Sequence, residues 1–154
     1  MAIVFTRVDD RLIHGQIVQG WLPGLNVDEF VVVINNADSL MTSLLRMSLP
    51  EEYSLKVLGV EEAVNYTAKA KNKIFLLFSN IDDVYVALIK GLTLTTLNVG
   101  GIHYRDGREK FLTDVYLDSH EKDVAKQIIK MGITLDGRSV PKEAHVDVEK
   151  ILCK

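Results

Sequence analysis

The chain has 154 residues, of which 47% are apolar and 25% are charged, a composition that is typical of a globular domain and excludes a disordered chain. Its formal net charge of -3, without any basic run, excludes a general affinity for nucleic acid. The one cysteine, Cys153, cannot form a disulfide within the chain. No stretch resembles a signal peptide or can span a membrane alone, so we expect a cytoplasmic protein.

The predicted strands are short apolar runs. Residues 3–6 form the first and precede a stretch rich in charges. Residues 29–35 and 74–78 are near-continuous apolar runs, as expected of strands that are covered on both faces. Weaker strand signals lie at residues 55–58, 95–99, 115–117 and 134–135.

Helical patterns lie between these strands, and the first helix is predicted to begin near Gly15, directly after the charged stretch. The apolar faces of the next two are formed by Leu40, Leu44 and Met47, before a stop at Pro50, and by Val60, Ala63, Val64, Thr67 and Ala68. Two later helices are capped by Asn80 and by Asp118 or Ser119; the second carries Val124, Ala125, Ile128 and Met131, and glycines 91 and 132 end them.

This alternation predicts one α/β domain over residues 1–154, with a mainly parallel, open, twisted sheet and helices on both faces. In such sheets ligands bind beyond the carboxyl ends of the strands, where the winding direction reverses. The loop after the first strand commonly borders that crevice. His14, in this loop, is therefore the first candidate for a functional residue.

The residues around His14 suit phosphoryl chemistry. A neutral imidazole can attack phosphorus and then serve as a phosphoryl donor. The planar fork of Arg11 suits phosphate oxygens, and a helix that begins near Gly15 and Gln16 would direct free N–H groups at the same anion. Asp9 and Asp10 can orient an arginine or set the imidazole tautomer. The alternative is a surface loop with a bystander histidine and a few ion pairs.

Residues 7–16, RVDDRLIHGQ, followed by Trp21, closely resemble the active-site signature of the IIB components of the mannose-class (mannose/fructose/sorbose) sugar phosphotransferase system. Residues 98–101 (NVGG), residues 140–141 (VP) and the acidic-apolar tail 146–152 also resemble this family. Val8 stands where the family more often has isoleucine, a mild change.

The resemblance implies a cytoplasmic phosphotransferase that reaches the inner face of the membrane only through its partners. It implies that His14 accepts a phosphoryl group from a phosphorylated IIA component and passes it to a sugar, of the hexose or amino-sugar class, that arrives through membrane IIC and IID components. Arg11 matches the arginine that steadies the phosphoryl group, and Asp9 and Asp10 match acidic positions of the motif. We expect Arg7 to pair with one of these aspartates rather than to contact the phosphoryl group.

Other residues carry weaker signals. Ser79, Gly100, Gly101 and His103 follow predicted strands and are candidates for the crevice wall, although the two glycines and His103 also suit a turn. His103 or Arg105 can contact phosphate or a partner. Trp21 can supply apolar docking surface or anchor the first helix in the core. His120 and His145 are expected to be solvated.

No cofactor is predicted. The four histidines are scattered and the cysteine stands alone, so no metal site is expected. A G-x-G-x-x-G motif after the first strand and a Walker lysine are both absent from the sequence, which argues against a nicotinamide site and nucleotide hydrolysis.

Two alternative functions remain open at this point. A receiver-like signalling module would also place an acidic pair after its first strand. It needs an aspartate after its third strand and a lysine after its fifth, where this chain has Gly59-Val60 and Val99-Gly100. A regulatory paralogue would keep the same loop without a sugar partner. The sequence does not identify the sugar, because the transport components select it.

Overall fold

The computed structural model describes residues 2–153, and its frame is a six-stranded parallel sheet. The strands of this sheet are β1 (Ile3–Asp9), β2 (Glu29–Val33), β3 (Ser54–Leu58), β4 (Ile74–Phe78), β5 (Thr96–Gly101) and, later in the chain, β8 (Thr134–Asp136). Their order across the sheet is β3-β2-β4-β1-β5-β8. Two short strands, β6 (Glu109–Leu112) and β7 (Val115–Leu117), form a separate antiparallel pair.

Helices connect the strands and cover both faces of the sheet. A six-residue π-helix (Gln16–Trp21) and a short 3₁₀ turn (Leu22–Gly24) follow the first loop, and the α-helices are α1 (Ser39–Ser48), α2 (Val60–Lys69), α3 (Ile81–Ile89), α4 (Ser119–Lys130) and α5 (Val148–Leu152). The predicted α/β fold class, with its parallel open sheet, is confirmed. Within residues 2–153, no helix is long and apolar enough to cross a membrane.

The two faces of the sheet bury separate apolar clusters, and their division places the first loop. The π-helix and α1 pack on one face, where Ile17, Trp21 and Leu45 meet Phe30 and Phe75. Helices α2, α3 and α4 pack on the other face. The connection after β1 therefore leaves toward one face, while those after its neighbours β4 and β5 leave toward the opposite face. In sheets of this kind ligands bind where such connections diverge, which in this chain is at the carboxyl end of β1.

Most predicted helix ends are confirmed. Asn80 caps α3 by accepting a hydrogen bond from the Asp83 N–H (2.8 Å), and Asp118 caps α4 by accepting one from the Glu121 N–H (2.7 Å). The left-handed backbone that ends a helix is supplied by Gly132, with φ of +89°. In α2, the predicted apolar face is buried except for Ala68, which is exposed.

The apolar face predicted for α1 is wrong. Leu40, Leu44 and Met47 are exposed, and the helix instead buries Leu45 against the sheet, with Leu49 just beyond its end. The physical reason is that this helix carries apolar residues on more than one side. Arg46, next to Leu45, donates hydrogen bonds to the main-chain carbonyls of residues 49, 50 and 53, and these contacts set the rotation of the helix.

The charged segment and the C-terminal region also differ from prediction. Strand β1 continues beyond Thr6 to Asp9, so two charged side chains belong to the strand and not to the loop. Residues 115–117 form a strand as predicted, but in the separate hairpin with β6, which was not predicted. Helix α5 was also missed; it has only five residues, too few for a periodic pattern.

Candidate functional site

The last residues of β1 carry a buried ion pair. Arg7 and Asp9 are separated by two positions, so both side chains project from the same face of the strand. Both are fully buried, and the Arg7 Nη2 lies 2.9 Å from the Asp9 Oδ2. Neither charge is tolerated in a core alone, so each neutralises the other.

Asp9 is the centre of the site, because three cationic or hydrogen-bonding side chains converge on its carboxylate. Arg7 donates to Oδ2 from Nε (3.2 Å) and Nη2 (2.9 Å). Arg11 donates from Nε to Oδ1 (3.0 Å) and from Nη2 to Oδ2 (2.9 Å), a two-pronged arrangement that fixes the plane of the guanidinium. The Nε2 atom of His14 lies 2.8 Å from the same Oδ2.

Electrostatics hold this carboxylate ionised. Burial by itself raises the pKa of Asp9, but the hydrogen bonds from His14 and Arg11 and the charge of Arg7 outweigh it, and the pKa falls well below its usual value. Burial lowers the pKa of Arg11, yet its contacts with Asp9 raise it above the usual value. For Arg7, burial is the largest effect and lowers its pKa. Arginine remains charged over the physiological range nonetheless.

Gln16 joins the two arginines on their other side. Its Oε1 accepts hydrogen bonds from the Arg7 Nη2 (3.2 Å) and the Arg11 Nη2 (2.8 Å). Gln16 is the first residue of the π-helix that begins directly after the His14 loop, close to the predicted helix start. One side chain thus ties the helix to both guanidinium groups.

Two glycines make room for the cluster. A Cβ atom on Gly100 would lie 1.9 Å from the Arg7 Cζ, and one on Gly101 would lie 2.8 Å from both the Arg11 Nη2 and the Asp9 Oδ1. Such distances are far inside van der Waals contact, so only glycine admits the guanidinium groups against strand β5. Gly100 and Gly101 are strand residues that wall the charged cluster, and not a turn.

His14 lies at the surface of this arrangement. Its side chain is 19% exposed and that of Arg11 is 29% exposed, whereas Arg7 and Asp9 are covered. The imidazole is thus bound by Asp9 on its buried side and remains partly exposed to solvent. Its second nitrogen, Nδ1, accepts a hydrogen bond from the main-chain N–H of Gln16, with 3.4 Å between the two nitrogens.

The remaining predicted residues have different positions. Asp10 does not join the arginines; its carboxylate binds the main-chain N–H and the ring of His103. The hydroxyl of Ser79 accepts a hydrogen bond from the side chain of Asn80, and no side-chain hydrogen bond joins it to the charged cluster within residues 2–153. Trp21 is buried in the core, as the anchor alternative predicted. His120 and His145 are exposed, as expected.

Sequence reasoning missed two groups that bind Arg7. Asn98 accepts a hydrogen bond from the Arg7 Nη1 at 2.7 Å, and the main-chain carbonyl of Ser139 accepts another at 3.0 Å. The same carbonyl accepts from the indole N–H of Trp21 at 2.8 Å. The Ser139 hydroxyl donates to Asp114 at 2.7 Å. Asn98 lies in the NVGG stretch, whose resemblance to the family could have indicated it. The contact at residue 139 is made by a main-chain carbonyl, which any residue has, so the sequence carries no sign of it.

The chain is similar in sequence and in fold to known proteins. The family model described as the PTS system sorbose subfamily IIB component matches residues 3–154. The chain belongs to this family. It is 30% identical to the sorbose-specific EIIB component of Klebsiella pneumoniae, over 96% of this chain and 93% of that protein. The IIB domain of the sorbose permease from Klebsiella pneumoniae has a similar crystal structure, with a TM-score of 0.91 at 29% identity over 99% of this chain and 97% of that one.

A further relative is larger than this IIB component. The chain is 30% identical to the mannose-specific EIIAB component of Escherichia coli strain K12, covering 100% of this chain and 49% of that protein. The predicted family is confirmed, and the IIB components of sugar phosphotransferase systems are sugar phosphotransferases. A receiver-like signalling module is excluded by this membership.

Proposed function

We propose that this IIB component accepts a phosphoryl group on His14 from a phosphohistidine of a IIA component and transfers it to a sugar. The observation that carries the proposal is the partly exposed His14 ring, which is hydrogen-bonded to a buried carboxylate between two arginines. The name of the mannose-specific EIIAB relative, which joins an A and a B component, supports a IIA protein or domain as the donor.

The contact with Asp9 selects the reacting nitrogen. An ionised carboxylate can only accept a hydrogen bond, so the Nε2 atom that faces Asp9 at 2.8 Å carries the ring proton. The lone pair of the neutral ring is then on Nδ1. We therefore assign Nδ1 of His14 as the nucleophile, in the way that a carboxylate orients an imidazole in other enzymes.

The transfer of the phosphoryl group from the donor histidine to His14 needs no further reactant. The Nδ1 lone pair forms a bond to phosphorus while the phosphorus–nitrogen bond of the donor histidine breaks and its electron pair returns to the donor ring. Because Nε2 keeps its proton, the phosphorylated ring of His14 is cationic, and the Asp9 carboxylate beside it stabilises that charge. In the second step a sugar hydroxyl attacks phosphorus and releases its proton to water. The Nδ1–phosphorus bond breaks and its electron pair returns to the ring, which is then neutral with its proton on Nε2.

Arg11 supplies the charge that the phosphoryl oxygens need. Its Nε and Nη2 atoms are engaged by Asp9 and Gln16, whereas its Nη1 has no hydrogen-bond partner within residues 2–153. This atom can donate to the phosphoryl group without breaking the contacts that orient the guanidinium. Arg7 is fully buried and engaged by Asp9, Asn98, Gln16 and Ser139, so its role is to neutralise and orient Asp9.

Transfer to an incoming sugar requires partners in the membrane. We propose that the IIC and IID components of the system bring the sugar to phosphorylated His14, and that this chain works in the cytoplasm and meets the membrane only through them. The exposure of the His14 ring supports two successive partners, since a protein histidine and then a sugar must both reach it.

The test is a two-stage transfer assay. The protein is incubated with a phosphorylated IIA protein and followed by intact mass and peptide mapping, and membranes with IIC and IID are then added to measure sugar phosphate. We expect one acid-labile, base-stable phosphoryl group on the peptide that contains His14. His120→Ala is the matched control, because His120 is also a histidine bonded to an aspartate but is remote in sequence. A His14→Ala variant that still accepts the phosphoryl group would overturn the proposal.

A further inference from the structure

The loop between β1 and the π-helix has a strained residue at its centre. Leu12 has a φ of +62°, a left-handed conformation that a leucine rarely adopts because its Cβ crowds the following carbonyl. The turn is closed by a hydrogen bond from the Leu12 N–H to the Asp9 carbonyl (3.0 Å). Leu12 follows Arg11 directly and precedes His14 by two residues. Its conformation therefore sets how these two side chains approach Asp9.

Asp10 fastens the start of this turn to strand β5 and the segment after it. Its main-chain N–H donates to the Gly101 carbonyl at 3.0 Å, and its Oδ2 accepts from the main-chain N–H of His103 at 2.8 Å. The Asp10 Oδ1 lies 2.5 Å from the Nδ1 atom of His103. Three contacts thus hold one residue, and the histidine ring makes the shortest of them.

His103 is itself held by the rest of the fold. The Nη1 atom of Arg108 donates to the His103 carbonyl at 2.7 Å. The same arginine donates from Nε and Nη2 to the two carboxylate oxygens of Glu121, at 2.8 Å each, and both side chains are largely buried. His103 therefore connects the exposed loop to a buried ion pair at the first turn of α4.

We propose that His103 is a positioning residue for phosphoryl transfer, because its ring holds Asp10 and thereby the left-handed turn at Leu12 that presents Arg11 and His14. This proposal rests on the proposed function of His14. It assigns a separate role to each of the adjacent aspartates: Asp9 orients the reacting groups, and Asp10 holds the loop that carries them. Without the ring, Leu12 can relax toward negative φ and move both side chains.

The test compares three substitutions of His103. In His103→Asn the amide nitrogen replaces Nδ1 and can still donate to Asp10, whereas His103→Gln places its amide nearer the position of Nε2 and His103→Ala has no donor. We expect the Ala and Gln variants to lower the kcat of phosphoryl transfer onto His14 by roughly ten- to a hundred-fold, as a small misplacement of reacting groups does, and the Asn variant to keep most of it. Because the His103 side chain is 62% exposed, melting temperatures should change by no more than about 2 °C.

A second substitution tests the turn itself. Leu12→Gly adopts a positive φ without strain, so in the His103→Ala background it should restore much of the lost transfer. His120→Ala is the control, since His120 forms a similar exposed pair with Asp82 (2.7 Å) on other elements and should leave transfer unchanged.

Nuclear magnetic resonance separates this proposal from the proposed function. The dipolar coupling between the amide and α protons of Leu12, measured as their nuclear Overhauser effect, is strongest at positive φ and needs no phosphoryl donor. It should change in His103→Ala but not in His103→Asn. If the coupling is unchanged in His103→Ala, or that variant transfers at the wild-type rate, the positioning role is wrong. If the Asn variant is no better than Ala, or glycine at position 12 restores nothing, the hydrogen bond or the turn is not the cause and the proposal also fails. Failure of wild-type His14 to accept the phosphoryl group, with the coupling changes present, would instead overturn the proposed function and leave His103 only the role of holding the loop.

Discussion

Replacing Gly100 by alanine should disable the site through a single methyl group. The added Cβ would lie 1.9 Å from the Arg7 Cζ and 2.3 Å from its Nε and Nη2, where ordinary contact begins at 3.4 Å. Strand β5 is paired on both sides, with β1 and β8, so the backbone cannot retreat and the guanidinium must withdraw by about 1.5 Å. A shift of that size breaks its hydrogen bonds to Asp9 and Asn98.

The loss of folding stability follows from the contacts that the buried Asp9 carboxylate loses. Breaking a buried ion pair typically costs about 3–5 kcal/mol. Asp9 keeps its contacts with Arg11 and His14, so we expect the lower end, about 3 kcal/mol, which in a domain of this size lowers the melting temperature by roughly 6–12 °C. The assays are urea unfolding, thermal melting and phosphoryl transfer from a IIA protein. Gly24→Ala is the matched control, because nothing lies within 4 Å of its added Cβ, and it should be neutral to within about 0.5 kcal/mol. Equal stability and transfer for Gly100→Ala and Gly24→Ala would refute the reasoning.

Three further results are expected. Arg11→Ala should lower transfer by about a hundred-fold or more and stability by only about 1–3 kcal/mol, since it removes two hydrogen bonds to buried Asp9. Arg11→Lys should recover only part of the transfer, since lysine lacks the fork; normal transfer by the alanine variant would make Arg11 structural. Transfer from IIA should continue in excess chelator, because the Arg11 guanidinium supplies the positive charge that a divalent ion would otherwise supply. Loss of transfer in chelator would contradict this role of Arg11. The pKa of Asp9 is lowered in the folded protein, so its stabilisation is present above the unfolded value of about 3.9 and is lost as pH falls through the folded one. Urea unfolding should therefore become easier below about pH 4 in the wild type, and less steeply so in Asp9→Asn.

The parts of the fold that the sequence predicted are those with one strong local signal. The buried strands at residues 74–78 and 29–33 are continuous apolar runs, and the caps at Asn80 and Asp118 are single side chains that bind the nearest free N–H groups. The rotation of α1 could not be predicted, because its sequence offers two apolar stripes and the choice between them depends on contacts of Arg46 with a later loop.

The sequence predicted which residues form the charged site, but it did not predict the hydrogen bonds that join them to the rest of the fold. The motif gave Arg7, Asp9, Arg11 and His14, whose contacts span few residues of sequence. The partners of Arg7 at residues 98 and 139 and the His103 partner of Asp10 are about 90 residues or more away. They meet because β5 lies beside β1 and β8 lies beside β5. The sequence also left open whether Gly100 belonged to a turn, since glycine is common in turns; the space taken by a guanidinium is visible only in three dimensions.

The most direct test of the account is the position of the phosphoryl group on the protein itself. Protein labelled with ¹⁵N is phosphorylated by a IIA protein, and the ring nitrogens of His14 are observed together with ³¹P. The account predicts that phosphorus is coupled to Nδ1 of His14, with the proton kept on Nε2 beside Asp9. Phosphorus on Nε2, on another histidine or on a carboxylate would contradict it.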